Sequence, residues 1–394
     1  MRILVAHCEY RQRGGEDVVF ETETALLREG GHDVSSLSIP SGVFSDLPLA
    51  RQMSLGLHVA GHSFGRNLLR DAIQASSPDV VHFHNLYPLL GPSAIIEAAS
   101  LGCATVQTLH NYRLSCIAGT HFRNNSICEE CHVLRHGPGV RRGCYRGSRT
   151  QSFAIARGLS MQGQLAVKRQ TPDVLICLTE FMRNRLVRAS IPADMLAVKP
   201  NSVADSLERK GYAGRTGVVF VGRLSPEKGI AELLQGWSPD DPHLRVVGAG
   251  PLESAIKERA VRLPNVTVVG PATPEKVRRE IGAAKVLLLP SRWYEGGLPL
   301  VALEALAEGT PVVGFALGAS LMLNEVDPNL LVTAGDFSGM KMAARCLSEA
   351  DDGTWTTMSE KCRRVYSDRY TPSRSLGGLE SAYAAAIQRA SKRS

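Results

Sequence analysis

The sequence predicts an α/β protein of two similar halves, and three observations carry that prediction. At 394 residues the chain is longer than one hydrophobic core usually serves. Short apolar runs alternate with segments of helical period, the pattern of parallel strands joined by helices. That alternation breaks in a polar stretch, Asp205 to Gly214, and restarts at Gly217, which places a hinge there. The predicted domains are residues 1–205 and 215–372, with a last helix over 373–394.

In the first half, Arg2 to His7 reads as a strand and Glu9 to Gly15 as a loop ending in Gly14-Gly15. A helix over Glu16 to Glu29 follows, with Val18, Val19, Thr22, Ala25, Leu26 and Glu29 at helical spacing, then a strand from Asp33 to Ile39. Strand, glycine loop, helix and strand open a nucleotide-binding layout, although the loop lacks the full G-x-G-x-x-G pattern. Asp79 to His84 is the next strand. His82 and His84 share one of its faces, as a structural, substrate-facing or metal-binding pair. Ala104 to His110 is another strand. A histidine at the carboxyl end of such a strand stands where ligands bind, so His110 is a site candidate, with a hydrogen-bonded surface histidine as the alternative.

An insertion at about 113–149 interrupts this order. It carries Cys116, Cys128, Cys131 and Cys144, spaced C-x11-C-x2-C-x12-C. Four soft ligands with one tight knuckle suit a structural zinc ion; loosely packed thiols or an iron–sulfur cluster are the other readings. The chain's nine cysteines do not describe a secreted disulfide framework. From Arg135 to Arg188 eleven Lys or Arg face two acids, a local excess that surpasses the whole chain's +7. A solvated face, an anionic membrane surface or an anionic substrate would each explain it. Nucleic acid is disfavoured, because few aromatics interleave with these cations. No apolar run reaches membrane-spanning length, and MRILVAHCEY enters a strand without a signal-peptide layout, so a cytoplasmic location is expected.

In the second half, Gly217 to Val221 is a strand followed by GRLSPEKG. Ser225 and Pro226 read as the start of a helix, which puts Lys228 in its first turn beside Arg223. Cations there make sense if an anion binds. Lys285 to Leu289 is a strand, and Pro299 opens an apolar helix that contains Glu304. A carboxylate there needs a partner, either a basic residue in the core or the hydroxyl groups of a ligand. Glu295 lies in the glycine loop before it.

The chain resembles the retaining glycosyltransferase family 4. The resemblance rests on Gly14-Gly15-Glu16, TLHN at His110, KPN at Asn201, VGRLSPEKG and EGGLPLVALEALAEGTPVVG. It implies the GT-B architecture, two Rossmann-like domains facing across a cleft, with the C-terminal helix packing back on the first. It implies that Arg223 and Lys228 bind the donor diphosphate and that Glu304 binds the ribose. Glu295, Gly296, Gly297 and Leu298 would contact the donor sugar, His110 would sit near the transferred sugar, and Gly14, Gly15 and Asn201 would line the donor site. Transfer from a nucleotide sugar to a sugar or lipid-linked acceptor, with retention and without a required cofactor, is the expected reaction. Polysaccharide or glycolipid assembly at the inner face of a membrane is the expected setting. Eight residues separate Glu295 from Glu304 where the family pattern has seven. A non-hydrolysing nucleotide-sugar epimerase and a non-catalytic nucleotide-sugar-binding protein are the alternatives.

Overall fold

A computed structural model describes residues 1–9, 14–40, 42–45, 63–205 and 212–393. Two compact units emerge. One comprises Met1–His121, Cys128–Pro200 and Ser375–Ser394; the other comprises Phe122–Ile127 and Asn201–Arg374. Most of the polar stretch expected to form the hinge, residues 206–211, lies outside the described residues.

The first unit is built on strands β1 (Arg2–Cys8), β2 (Asp33–Ile39), β3 (Val80–Phe83) and β4 (Ala104–Leu109). After a short antiparallel hairpin, β5 (Phe122–Arg123) and β6 (Ser126–Ile127), the chain adds β7 (Val174–Cys177) and β8 (Leu196–Val198). The sheet is parallel, in the order β2-β1-β3-β4-β7-β8. Alternate side chains of β1 feed two separate cores: Ile3 and Val5 on one face, Leu4 and Ala6 on the other.

The expected return of the C-terminal helix is present. Leu379, Ala382, Tyr383 and Ala386, from the helix Pro372–Ala390, join the core of Ile3, Val5, Phe20 and Leu27. The insertion is better anchored than its composition suggests, because Leu114, Ile117 and Val133 are all buried. Among the described residues no helix is long and apolar enough to cross a membrane.

The second unit repeats the plan with β9 (Val218–Val221), β10 (Leu244–Val247), β11 (Val266–Gly270), β12 (Val286–Leu289), β13 (Val312–Phe315) and β14 (Leu331–Val332). Its order is β11-β10-β9-β12-β13-β14, again parallel. In each sheet the strand order reverses once, between β1 and β3 and between β9 and β12. Open α/β sheets bind ligands at the carboxyl ends of strands beside such a reversal.

Leu379 is fully buried on the returning helix. Leu379→Ala should therefore lower stability by about 2–5 kcal/mol, whereas Leu379→Met should cost under about 1.5 kcal/mol. Urea unfolding of the two variants, followed by far-UV circular dichroism, checks this.

Candidate active site

In the second unit the residues singled out in the sequence gather at the reversal. Arg223 lies two residues past β9, and the loop from Pro290 to Pro299 leaves β12. The helix expected from Pro226 onward does not form as one piece. Pro226–Lys228 is a single 3-10 turn, and the helix proper, Ile230–Gln235, starts only after Gly229. Gly229 has φ +71°, and a Cβ there would lie 2.1 Å from the Pro290 carbonyl oxygen. The chain must break its helix to pass the β12 loop, and glycine allows it. Ser225 makes no capping hydrogen bond; its hydroxyl donates to Glu227 at 2.6 Å. Helix-dipole support for an anion is thus weaker here than the sequence suggests, and side chains must supply most of the attraction.

Lys228 and Glu295 meet directly. Lys228 Nζ donates to Glu295 Oε1 at 2.6 Å, and the Ser291 hydroxyl donates to the same oxygen at 2.8 Å. The ammonium also stands 5.4 Å from the centre of the Trp293 ring. The two groups expected to touch different parts of a ligand are each other's partner. Arg223 is exposed, and its side chain makes no hydrogen bond or ion pair among the described residues. Gly296 and Gly297 are half-buried and Leu298 is buried. Asn201 belongs to this unit, and its buried Oδ1 has no hydrogen-bond partner.

Pro299 is the N-cap of the helix Leu300–Glu308 rather than its first residue. Glu304 is half-buried and forms no hydrogen bond or ion pair among the described residues. Burial raises its pKa to about 7; Arg278 pulls it down and Glu308 pushes it up. Arg278 is 3.4 Å from Glu308, so most of its charge is already answered. Of the two partners considered for Glu304, the basic core residue is absent among the described residues.

In the first unit the site is a buried polar chain. Lys199 Nζ pairs with Glu23 Oε1 and donates to Ser375 Oγ at 3.1 Å. Glu23 Oε2 faces His84 Nε2 at 3.6 Å, and His84 Nδ1 lies 2.8 Å from His110 Nε2. Burial alone would raise the Glu23 pKa, but the Lys199 charge and His82 outweigh it and hold the pKa below the ordinary value. Burial keeps His84 well below its usual range and lowers His110. A carboxylate only accepts. The arrangement therefore favours a proton on His84 Nε2, a bond from His110 Nε2–H to His84 Nδ1, and a lone pair on His110 Nδ1. His110 follows β4 as expected, in a cleft lined by Glu16, Asn111, Arg113 and Gln162. Glu16 Oε1 accepts from Asn111 at 2.9 Å. Gly14 is the exposed N-cap of the helix Gly15–Glu29, and Asp17 ties Gly14 N (2.8 Å) to His7 (2.9 Å).

Sequence reasoning missed Glu23, Asp17 and Lys199. It also set part of the buried face of the first helix one step off: Val19 and Leu26 are buried as expected, but Val18, Thr22, Ala25 and Glu29 are exposed, while Phe20, Glu23, Thr24 and Leu27 are buried. Those four hold i, i+3, i+4, i+7 spacing, so the signal was present, with a glutamate inside it.

Glu23, His82 and His84 offer ligand atoms within 4.8 Å of one another. Chemistry argues against a metal there. His82 already bonds Tyr383 Oη at 2.9 Å and Thr108 Oγ1 at 2.8 Å, and Glu23 already answers a cation. The four insertion cysteines all lie in the first unit and are half-buried, and none forms a disulfide.

Residues 9–202 match the family described as "Glycosyl transferase 4-like domain", and residues 215–350 match "Glycosyl transferases group 1". The chain is 30% identical over 183 residues to the exopolysaccharide phosphotransferase SCO2592 of Streptomyces coelicolor, covering 43% of this chain and 19% of that protein. It is 28% identical over 181 residues to the D-inositol 3-phosphate glycosyltransferase of Corynebacterium diphtheriae, covering 38% of this chain and 42% of the relative. The match thus spans less than half the length of either relative. Among solved structures, Anabaena Alr3699/HepE in complex with UDP-glucose aligns over 97% of this chain and 99% of its own, with a TM-score of 0.62 at 16% identity. At that identity the likeness shows the fold alone.

Glu304 yields a test by pH. Its folded pKa of about 7 lies above the unfolded value of 4.5. Its contribution to stability is therefore full below 4.5 and is lost as pH rises through about 7. Glu304→Gln should gain on the native protein by at most about 3 kcal/mol between pH 4.5 and 8. Paired thermal melts across that range check this, and a pH-independent difference would contradict it.

Proposed function

We propose, from the premise that this chain belongs to the GT4-type glycosyltransferases of GT-B architecture, that it moves a sugar from a nucleotide-sugar donor to a hydroxyl acceptor with retention of configuration. The Lys228–Glu295 pair is the observation that carries the reading. A diphosphate offers Lys228 a stronger anionic partner, with Arg223 beside it in sequence, and releases Glu295 to accept from sugar hydroxyls. Glu304, poised near neutrality, suits the vicinal hydroxyls of a ribose: protonated it donates, ionised it accepts. The protein's task is then to stabilise charge leaving on the diphosphate and to position the partners. The leaving phosphate oxygen can take the acceptor's proton, so no protein nucleophile is required. In the first unit, the lone pair on His110 Nδ1 is assigned to a substrate hydroxyl. The name of the exopolysaccharide relative supports a role in building polysaccharide.

The acceptor side of this reading includes a membrane. A groove of about 860 Å³ lies against the helices Gly137–Arg142 and Arg149–Val167. Leu134 and Phe153 are about half exposed at it, at 50% and 51%, and exposed Arg135, Arg141 and Arg157 stand around them. Apolar groups ringed by cations fit an anionic bilayer surface, each cation adding about 1 kcal/mol close to it. A lipid-linked acceptor at the cytoplasmic face would be presented there.

Lys228→Ala should cut kcat/KM about 10²–10³-fold with the fold retained, and Glu304→Ala should weaken donor binding. Full activity in both variants would sink the assignment. Incubation with donor alone separates the epimerase, which would convert it without an acceptor. Donor binding without transfer to any acceptor would instead indicate a binding protein. For the membrane, the chain should co-sediment with vesicles containing anionic lipid and not with neutral ones. Leu134→Ser with Phe153→Ser should abolish the difference.

A further inference from the structure

We propose that Cys116, Cys128, Cys131 and Cys144 hold one structural zinc ion in the first unit. The four sulfurs come from separate pieces of the insertion. Cys116 closes a turn whose backbone N–H bonds Tyr112 O at 2.8 Å. Cys128 directly follows β6, and Cys131 completes the knuckle. Cys144 lies past the Gly137–Arg142 helix, with its N–H on Gly139 O at 3.0 Å. Gly139 joins three of these pieces: its carbonyl accepts from the Cys144 N–H, and it packs against the Cys131 sulfur and against Ile117, the neighbour of Cys116.

Gly139 packs directly against the Cys131 sulfur. A Cβ on Gly139 would stand 3.2 Å from that sulfur and 2.9 Å from Ile117 Cδ1, so a glycine is needed for the approach. A fixed outer shell is what holds metal ligands in place. The Arg142 guanidinium acts electrostatically on Cys128 and Cys144 and pairs with Glu130. Four thiolates on one dication carry a net double negative charge, which a nearby arginine moderates.

The buried Glu23, His82 and His84 group is the tighter one, with ligand atoms within 4.8 Å of one another, but it contains its own cation, Lys199. Among the described residues the four sulfurs do not form a group that tight. Zinc would draw them in to Zn–S distances of about 2.3 Å, completing the site as it binds. The ion would fasten together the Cys116 turn, the knuckle and the short helix Gly137–Arg142.

Full-length protein purified without chelator and analysed by inductively coupled plasma mass spectrometry should contain about one zinc per chain. Cys128→Ser and Cys131→Ser should each lose most of it, while Cys346→Ser, at an exposed cysteine outside the insertion, should keep it. Should the insertion variants fail to fold, the native chain still decides. A strong chelator should release the zinc, lower the melting temperature and expose four additional thiols to a colorimetric reagent, and added zinc should reverse all three. Metal-free protein with an unchanged melting curve would overturn the proposal. So would iron with visible absorbance, or two disulfides seen by intact mass under non-reducing conditions.

Discussion

The buried ion pair between Lys199 and Glu23 is the constraint on which the first unit depends. It joins the end of β8, the first helix and, through Ser375, the returning C-terminal helix. Two charges removed from water repay their desolvation only with close geometry and further hydrogen bonds. The chain supplies both, and the second carboxylate oxygen is left facing His84. One charged pair thereby fixes a helix, seats the C-terminal helix and orients the imidazoles that end at His110. Removing either partner would leave an uncompensated buried charge, typically costing about 3–5 kcal/mol.

The second unit uses an ion pair in the opposite way. Lys228 is partly open, with 19% side-chain exposure, and its partner Glu295 keeps 9%, against 2% and 3% for Lys199 and Glu23. A pair at the edge of solvent can be exchanged for a ligand's charges at little cost, whereas a sealed one cannot. The sealed pair therefore suits a scaffold, and the open pair suits a site. The open pair lies at the reversal of strand order, after β9 and β12, whereas Lys199 follows the edge strand β8 and the polar chain reaches the first sheet's reversal only at His84, after β3. The repeat of the fold thus places polar chemistry twice, and the depth of burial decides what each set can do.

This division also explains what was legible in the sequence. Strand-sized apolar runs and glycine breaks gave the two α/β halves, because period and chain reversal are local properties. Glu304 was legible as a carboxylate in an apolar helix with Glu295 in the loop before it, Arg223 and Lys228 as cations at an expected helix start, and His110 as a histidine at the end of a strand. The Lys199–Glu23 pair was not, since it joins positions 176 residues apart and neither residue is unusual in its own segment. The break at Gly229 was hidden for a similar reason. It is imposed by the Pro290 carbonyl, which only the packed sheet brings there.

The spacing between Glu295 and Glu304 can now be given a physical meaning. Glu304 takes its position from the helix, which begins at Leu300 after the Pro299 cap. Glu295 lies before that cap, and its carboxylate is placed by Ser291 and Lys228, not by helical phase. An extra residue among Gly296, Gly297 and Leu298 therefore lengthens a loop whose two ends are held independently. The two glutamates need not keep a fixed count between them. What must be kept is the reach of Lys228 to the β12 loop, and that reach is set by the turn at Gly229 against Pro290.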